Sequence, residues 1–404
     1  MRRNLILVYL ATFLRSLGVG LLSVVLGVYL ARIGFSATKV GVTVAYGLAG
    51  GILATLLVTY RADRLGRRRT LVLLALLSAV GGLGLAFLKT VPEIFAIAFL
   101  GMVNGTGSDR GPAYALEQAT VPSTVPTERR TSALAWYSLL LDTGHALGAL
   151  AGGLPILLGH RLGMDLAAAY RITFLAYLAL NALCAPLYLL LSREAEVTAA
   201  PETPPAALTV TPETKKVVGR LARLFALDAL GGGFLIDALV SYWFFRRFGL
   251  SEEQLGVLFF VVHILNALSY LVAARLARRI GLLNTMVFTH IPSSLFLIAV
   301  PFAPTAGWAM GLFLAREALV EMDVPTRQSY VMAVVEPQER TYASGITNLT
   351  RNAAWAVGSS FAGVVMQYLA LAAPLVLGGS VKILYDGLLY RAFCHLKPPE
   401  ERSA

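Results

Sequence analysis

The chain has 404 residues, of which 57% are apolar and 14% charged, with a formal net charge of +11. Soluble domains carry about 25% charged residues, so this composition, with a mean hydropathy of +0.69, excludes a fold that faces water on all sides. The basic excess does not indicate nucleic acid, because the bases cluster in short loops between apolar runs, as they do beside a membrane. Only helices and closed barrels satisfy their backbone groups in lipid. The apolar segments here are continuous rather than alternating, which selects helices.

In chain order, spans are predicted near 5–31, 38–60, 69–88, 92–120, 131–158 and 168–191, then near 217–245, 253–274, 281–303, 307–334, 341–368 and 371–393. Met1-Arg2-Arg3 before an apolar run resembles a signal peptide, but Arg15 interrupts the run and no cleavage site follows. A retained first helix is therefore expected. The stretch 192–216 holds Pro201, Pro204, Pro205 and Pro212 among Thr, Glu and Lys. It is the one long polar segment and falls at the midpoint, as a linker would. The domains expected are thus 1–191, a linker over 192–216 and 217–404. With both termini inside, Arg61, Arg64, Arg67, Arg68 and Arg69, Arg129 and Arg130, Lys215 and Lys216, and Arg275, Arg278 and Arg279 all fall on the inner side, as the positive-inside rule requires.

The halves repeat. Leu17-Gly18-Val19-Gly20 answers Leu230-Gly231-Gly232-Gly233, Leu65-Gly66 answers Ile280-Gly281, and Glu128-Arg129-Arg130-Thr131 answers Gln338-Glu339-Arg340-Thr341, all at a nearly constant offset. The fold class that follows is all-α and polytopic, with twelve transmembrane helices in two pseudo-symmetric bundles of six. Parallel repeats of this kind build transporters whose halves rock about a central site.

Between the second and third spans lies Asp63-Arg64-Leu65-Gly66-Arg67-Arg68. It resembles the signature loop of the major facilitator superfamily. The resemblance implies a conformational switch in which Asp63, Arg64, Arg67 and Arg68 form charge links that break as the halves move, with Gly66 permitting the turn. The preceding glycine of that signature is absent here. On the fifth span, Gly144, Gly148, Gly152 and Gly153 sit at helix-packing spacing and are similar to the glycine motif of the superfamily's proton-coupled antiporters, although Ala149 stands where that motif has proline. The arginine expected on the fourth span of its drug exporters is missing from Gly101–Gly105, and Arg110 is the nearest substitute.

Ionisable residues inside spans are costly and default to function. Arg15 lies 12 residues past Arg3 and Asp142 12 past Arg130, each about 18 Å along its helix from the inner boundary and so near mid-bilayer. Asp228 occupies the place in the second repeat that Arg15 holds in the first. Carboxylates in a poorly hydrated cavity can exchange protons near neutrality, so the proton-coupling candidates are Asp142, Asp228 and Asp323, with His145 as a relay one turn from Asp142. Asp323 precedes Pro325, which is expected to interrupt its helix. Cavity candidates are Arg15, Asp109, Arg110, Asp237, Glu321, Arg327 and Arg351, with Trp136, Tyr137 and Tyr242 as aromatic walls. His263 and His290 are expected only to pack. Cys184 and Cys394 offer neither metal spacing nor a disulfide framework, and no metal or cofactor is expected.

No phosphate loop and no hydrolase motif is present, so neither an ATP-driven pump nor an enzyme is expected. The expected function is alternating-access transport of a small organic solute, with proton antiport and efflux, by a monomer in the inner or plasma membrane. The partners expected are the solute, protons and the bilayer, without nucleic acid. The alternatives are a carrier of metal or inorganic ions and a non-transporting receptor or sensor.

Overall fold

The computed structural model describes residues 2–107, 111–125, 130–192, 210–336 and 339–395. Its α-helices make twelve spans. In the first repeat α1 (Arg2–Arg32), α2 (Ala37–Leu65) and α3 (Arg67–Phe87) are continuous. Span 4 is α4 (Val91–Gly101) followed by α5 (Pro112–Thr120), span 5 is α6 (Arg130–Ala151) followed by α7 (Leu154–Leu162), and span 6 is α8 (Leu166–Leu189). In the second repeat, span 7 is α9 (Pro212–Gly233) followed by α10 (Asp237–Phe248). Spans 8 and 9 are α11 (Glu252–Ile280) and α12 (Leu282–Ala299). Span 10 is α13 (Ala306–Val320) followed by α14 (Asp323–Ala333), and spans 11 and 12 are α15 (Arg340–Tyr368) and α16 (Ala373–Phe393).

Four of the spans are broken. Span 4 opens after Gly101, where Met102 turns left-handed and Gly105 and Gly107 take positive φ. Span 5 opens at Gly152-Gly153 and span 7 after Gly231-Gly232-Gly233. Span 10 opens at Glu321-Met322, ahead of Pro325 rather than at it. Pro325 is the third residue of α14, where the backbone N–H has no helical partner to lose, so the proline starts the new helix instead of stopping the old one.

Among the described residues, eight helical segments are long and apolar enough to cross a bilayer by length and composition. The spans outside that set are 4, 10, 11 and 12, and these carry Glu117, Arg316, Glu317, Asp323, Arg327, Arg351, Lys382 and Asp386, all buried or half-buried. Spans 4 and 10 fall outside it because each is broken into two short helices, and the charged side chains of all four spans are turned inward, while side chains such as Leu53, Leu57, Leu268 and Leu271 are exposed where lipid would meet them.

The turns repeat as the sequence does. Gly66 and Gly281, at φ 90° and 91°, open α3 and α12, and their carbonyls accept from the hydroxyls of Thr70 at 2.9 Å and Thr285 at 2.8 Å. Only glycine enters that backbone region without strain. Packing repeats too: α1 lies on α6 and α3 on α8, as α9 lies on α15 and α12 on α16. In a bilayer apolar burial does not drive helices together, so close backbone approach must. A Cβ on Gly148 would stand 2.1 Å from the Leu17 carbonyl oxygen, and one on Gly20 2.2 Å from that of His145.

The chain divides into two compact units, residues 1–200 with 236–263 and residues 201–235 with 264–404. The first unit thus includes α10 and the start of α11. Ala238 donates its N–H to the Gly105 carbonyl at 3.0 Å, and α10 packs on α1.

Candidate functional site

In the second unit, glycines set the distances at which charges meet. A Cβ on Gly231 would lie 3.0 Å from the Gly378 carbonyl oxygen on α16, and one on Gly233 2.4 Å from that of Trp355 on α15. One turn away from these close approaches are Asp228 on α9, Arg351 on α15 and Lys382 on α16. Asp228 accepts from Lys382 Nζ at 2.8 Å and from Arg351 Nη1 at 2.9 Å. Arg327 Nη1 stands 3.6 Å from Asp228 and is paired with Asp323, one turn earlier on α14.

On the far side of Lys382 lies His290 of α12. Its Nδ1 is 3.0 Å from Asp386 and its Nε2 is 3.3 Å from Lys382 Nζ. An ammonium can only donate, so Nε2 accepts and Nδ1–H donates to Asp386, which assigns a neutral ring. Three carboxylates (Asp228, Asp323, Asp386) then balance three bases (Arg327, Arg351, Lys382). Beside Arg327 and Arg351 opens a small cleft of about 30 Å³, also lined by Gln328, Ser344, Thr347 and Asn348.

The first unit holds a corresponding cluster. Arg15 is paired with Glu117, whose other contacts are the hydroxyls of Tyr137 at 2.9 Å and Tyr188 at 2.5 Å. Glu117 is wholly buried. Arg15 answers Asp228 at an offset of 213 and Glu117 answers Arg327 at 210, both within the drift of the repeat, so the pair between spans 1 and 4 recurs between spans 7 and 10 with its charges exchanged. Elsewhere in this unit Arg32 holds Glu252 through two hydrogen bonds, at 2.9 and 3.1 Å, and Glu252 also accepts from Tyr170.

A family model described as Major Facilitator Superfamily matches residues 8–359 and 225–402. The chain belongs to the Major Facilitator Superfamily. Over 96% of its length it is 29% identical to an uncharacterized membrane protein of Saccharomyces cerevisiae, YJR124C, covering 93% of that protein. It is 27% identical to the quinolone resistance protein NorA of Staphylococcus aureus over 43% of each chain. Among solved structures it resembles a D-xylose–proton symporter (TM-score 0.74, 16% identity, 96% of each chain). It also resembles the nucleoside transporter NupG (TM-score 0.72, 15% identity, 98% of this chain and 99% of that one). At those identities the two structures show the fold alone. Family membership makes this a transporter rather than an enzyme.

Within this facilitator, the structure brings Asp228, Asp323, Arg327 and Arg351 together and sets Arg15 and Tyr137 around Glu117. Asp142 is half-buried on α6, and His145 is buried beside His263, with ring centroids 5.8 Å apart. Glu321 accepts from the Tyr270 hydroxyl at 3.1 Å. Asp237 is the first residue of α10 and lies against Gly107, while Tyr242 is buried on the same helix. Trp136 is exposed. A Cβ on Gly144, Gly148 or Gly152 would meet α1 at Ser16, Leu17 or Val24, and one on Gly153 would meet Glu253. Gly66 makes the turn of the signature loop, and Arg68 reaches the Leu191 carbonyl at 3.4 Å; Arg67 opens α3 beside it. The side chains of Asp63 and Arg64, and all of Asp109 and Arg110, lie outside the described residues.

Sequence reasoning missed Lys382, Asp386 and the role of His290. His290 was expected to pack and instead bridges Lys382 and Asp386. The available signal was Lys382 and Asp386 four apart in an otherwise apolar span, the spacing that puts two charges on one helix face. Glu117 falls inside the predicted fourth span, but nothing local names Arg15 as its partner.

Proposed function

We propose that this facilitator is a secondary active transporter that works by alternating access and couples a small organic solute to protons through Asp228. The observation that carries this reading is Asp228 itself, a buried carboxylate beside the break of span 7, held by bases from spans 10, 11 and 12. Such a charge is expensive to keep in a membrane interior, and a pairing among four helices can reform with different partners as the helices shift. Asp386, His290 and Lys382 form a chain of hydrogen-bonding groups that ends at Asp228 and supplies a route for a proton.

Antiport and efflux have separate support, in the glycine spacing of span 5 and in the partial likeness to NorA. A carrier of bare metal ions has less, since among the described residues no group of three or more His, Cys, Asp or Glu side chains is disposed to hold one. The distribution of basic residues in the loops supports both termini on the cytoplasmic side of the inner or plasma membrane.

The test is reconstitution into vesicles loaded with a pH-sensitive dye. Solutes that raise the melting temperature of the purified protein are added under an imposed pH gradient. Wild-type protein moves protons with one of them, and Asp228→Asn does not. Equal proton movement by Asp228→Asn and by Asp142→Asn would reject coupling through these carboxylates, and no solute flux at all would leave a receptor or sensor.

A further inference from the structure

The cluster also constrains the charge of the solute. Asp228 is surrounded by Arg327 from α14, Arg351 from α15, Lys382 from α16 and His290 from α12; Asp323 is paired with Arg327, Asp386 with His290, and Tyr385 of α16 also faces Asp228. Its own side chain is 4% exposed, and those of Arg327 and Lys382 are 7% and 8% exposed, whereas Arg351 is 20% exposed. Arg351 is thus the member of the cluster that an entering molecule meets. It lines the small cleft with Arg327, the amides of Gln328 and Asn348, and the hydroxyls of Ser344 and Thr347. No acidic side chain lines that cleft. A cation arriving there faces two guanidiniums before it reaches any carboxylate. A carboxylate arriving there finds a planar donor fork that matches its geometry.

We infer that the solute is an organic anion, bound by Arg351 in place of Asp228, and that a proton taken up by Asp228 crosses with it. This rests on the coupling reading above and reverses its expected sign from antiport to symport. The charges balance. A bound carboxylate adds one negative charge to the cluster, and one proton from water on the open side converts Asp228 to the neutral acid and removes it. A carboxylate that loses a cationic partner takes up a proton more readily, and the coupling is reciprocal: protonating Asp228 frees Arg351 for the anion.

The experiment uses the full-length purified protein and three matched sets of probes: lactate, lactamide and 1-amino-2-propanol; benzoate, benzamide and benzylamine; indole-3-acetate, indole-3-acetamide and tryptamine. Binding is read by thermal shift between pH 5.5 and 8. The carboxylate of at least one set is expected to bind more tightly than its amide and its amine, to bind more tightly as pH falls, and to lose about tenfold or more in Arg351→Gln, with part of that restored in Arg351→Lys. In Asp228→Asn the carboxylate is expected to bind with little dependence on pH. If the amines bind and the carboxylates do not, or if no carboxylate outbinds its amide in any set, the anion is rejected while proton coupling can stand. If carboxylates bind with an affinity indifferent to pH in the wild type, the shared proton is rejected and the coupling reading falls with it.

Discussion

Glu117 offers the most direct measurement of what the buried charges cost. It is wholly buried, is paired with Arg15, and accepts from both Tyr137 and Tyr188. Changing Glu117→Gln keeps the volume but removes the charge, leaving the Arg15 guanidinium in the interior of the bundle without its carboxylate. Breaking a buried pair by removing one partner costs about 3–5 kcal/mol. At about 2–4 °C per kcal/mol, that is roughly 6–20 °C of melting temperature. The double substitution Arg15→Met with Glu117→Gln removes both charges together, and such replacements are often close to neutral. The expected pattern is therefore a large loss in Glu117→Gln and a recovery of most of it in the double variant, read by fluorescence melting in detergent at one fixed scan rate. Two results would refute the argument: Glu117→Gln melting within about 2 °C of wild type, the range of an inconsequential surface change, or the double variant melting no higher than the single one.

Other substitutions test other parts of the structure. Gly148→Ala drives a methyl group into the Leu17 carbonyl, a fixed backbone atom, whereas Gly144→Ala meets the Ser16 hydroxyl, which can rotate; Gly148→Ala should melt lower than Gly144→Ala. At the start of α9, Glu339 accepts from the Thr214 hydroxyl and from the Thr211 N–H at 2.7 Å, and these hydrogen bonds hold its carboxyl below the usual range. The stabilisation this gives is complete above the ordinary glutamate pKa and is lost as pH falls through the depressed value. Hydrogen-exchange protection at residues 211–216, measured against the intrinsic rate at each pH, should fall on acidification in the wild type, and should be low and nearly indifferent to pH in Glu339→Gln. Cys184 is buried and Cys394 half-buried, so a membrane-impermeant maleimide should modify Cys394 alone, and only from the cytoplasmic face; labelling from outside would overturn the proposed orientation.

The sequence by itself determined the fold. Apolar runs separated by basic loops have no low-energy alternative to helices in lipid, and Gly66 with Gly281 shows the duplication because a positive-φ turn tolerates little else. Even the breaks were partly visible: Gly231-Gly232-Gly233 weakens span 7, whereas the break in span 10 was placed at Pro325 because proline disrupts a helix interior but not its first turn, and position alone cannot say which one is meant. Which charges meet was left to the tertiary structure. Arg15 with Glu117, and Asp228 with Arg327, Arg351 and Lys382, are separated by roughly a hundred residues or more along the chain, and no local pattern encodes such a partnership. Glycine contacts between whole helices bring them within hydrogen-bonding range, and the low dielectric of the interior makes each carboxylate depend on the bases delivered to it.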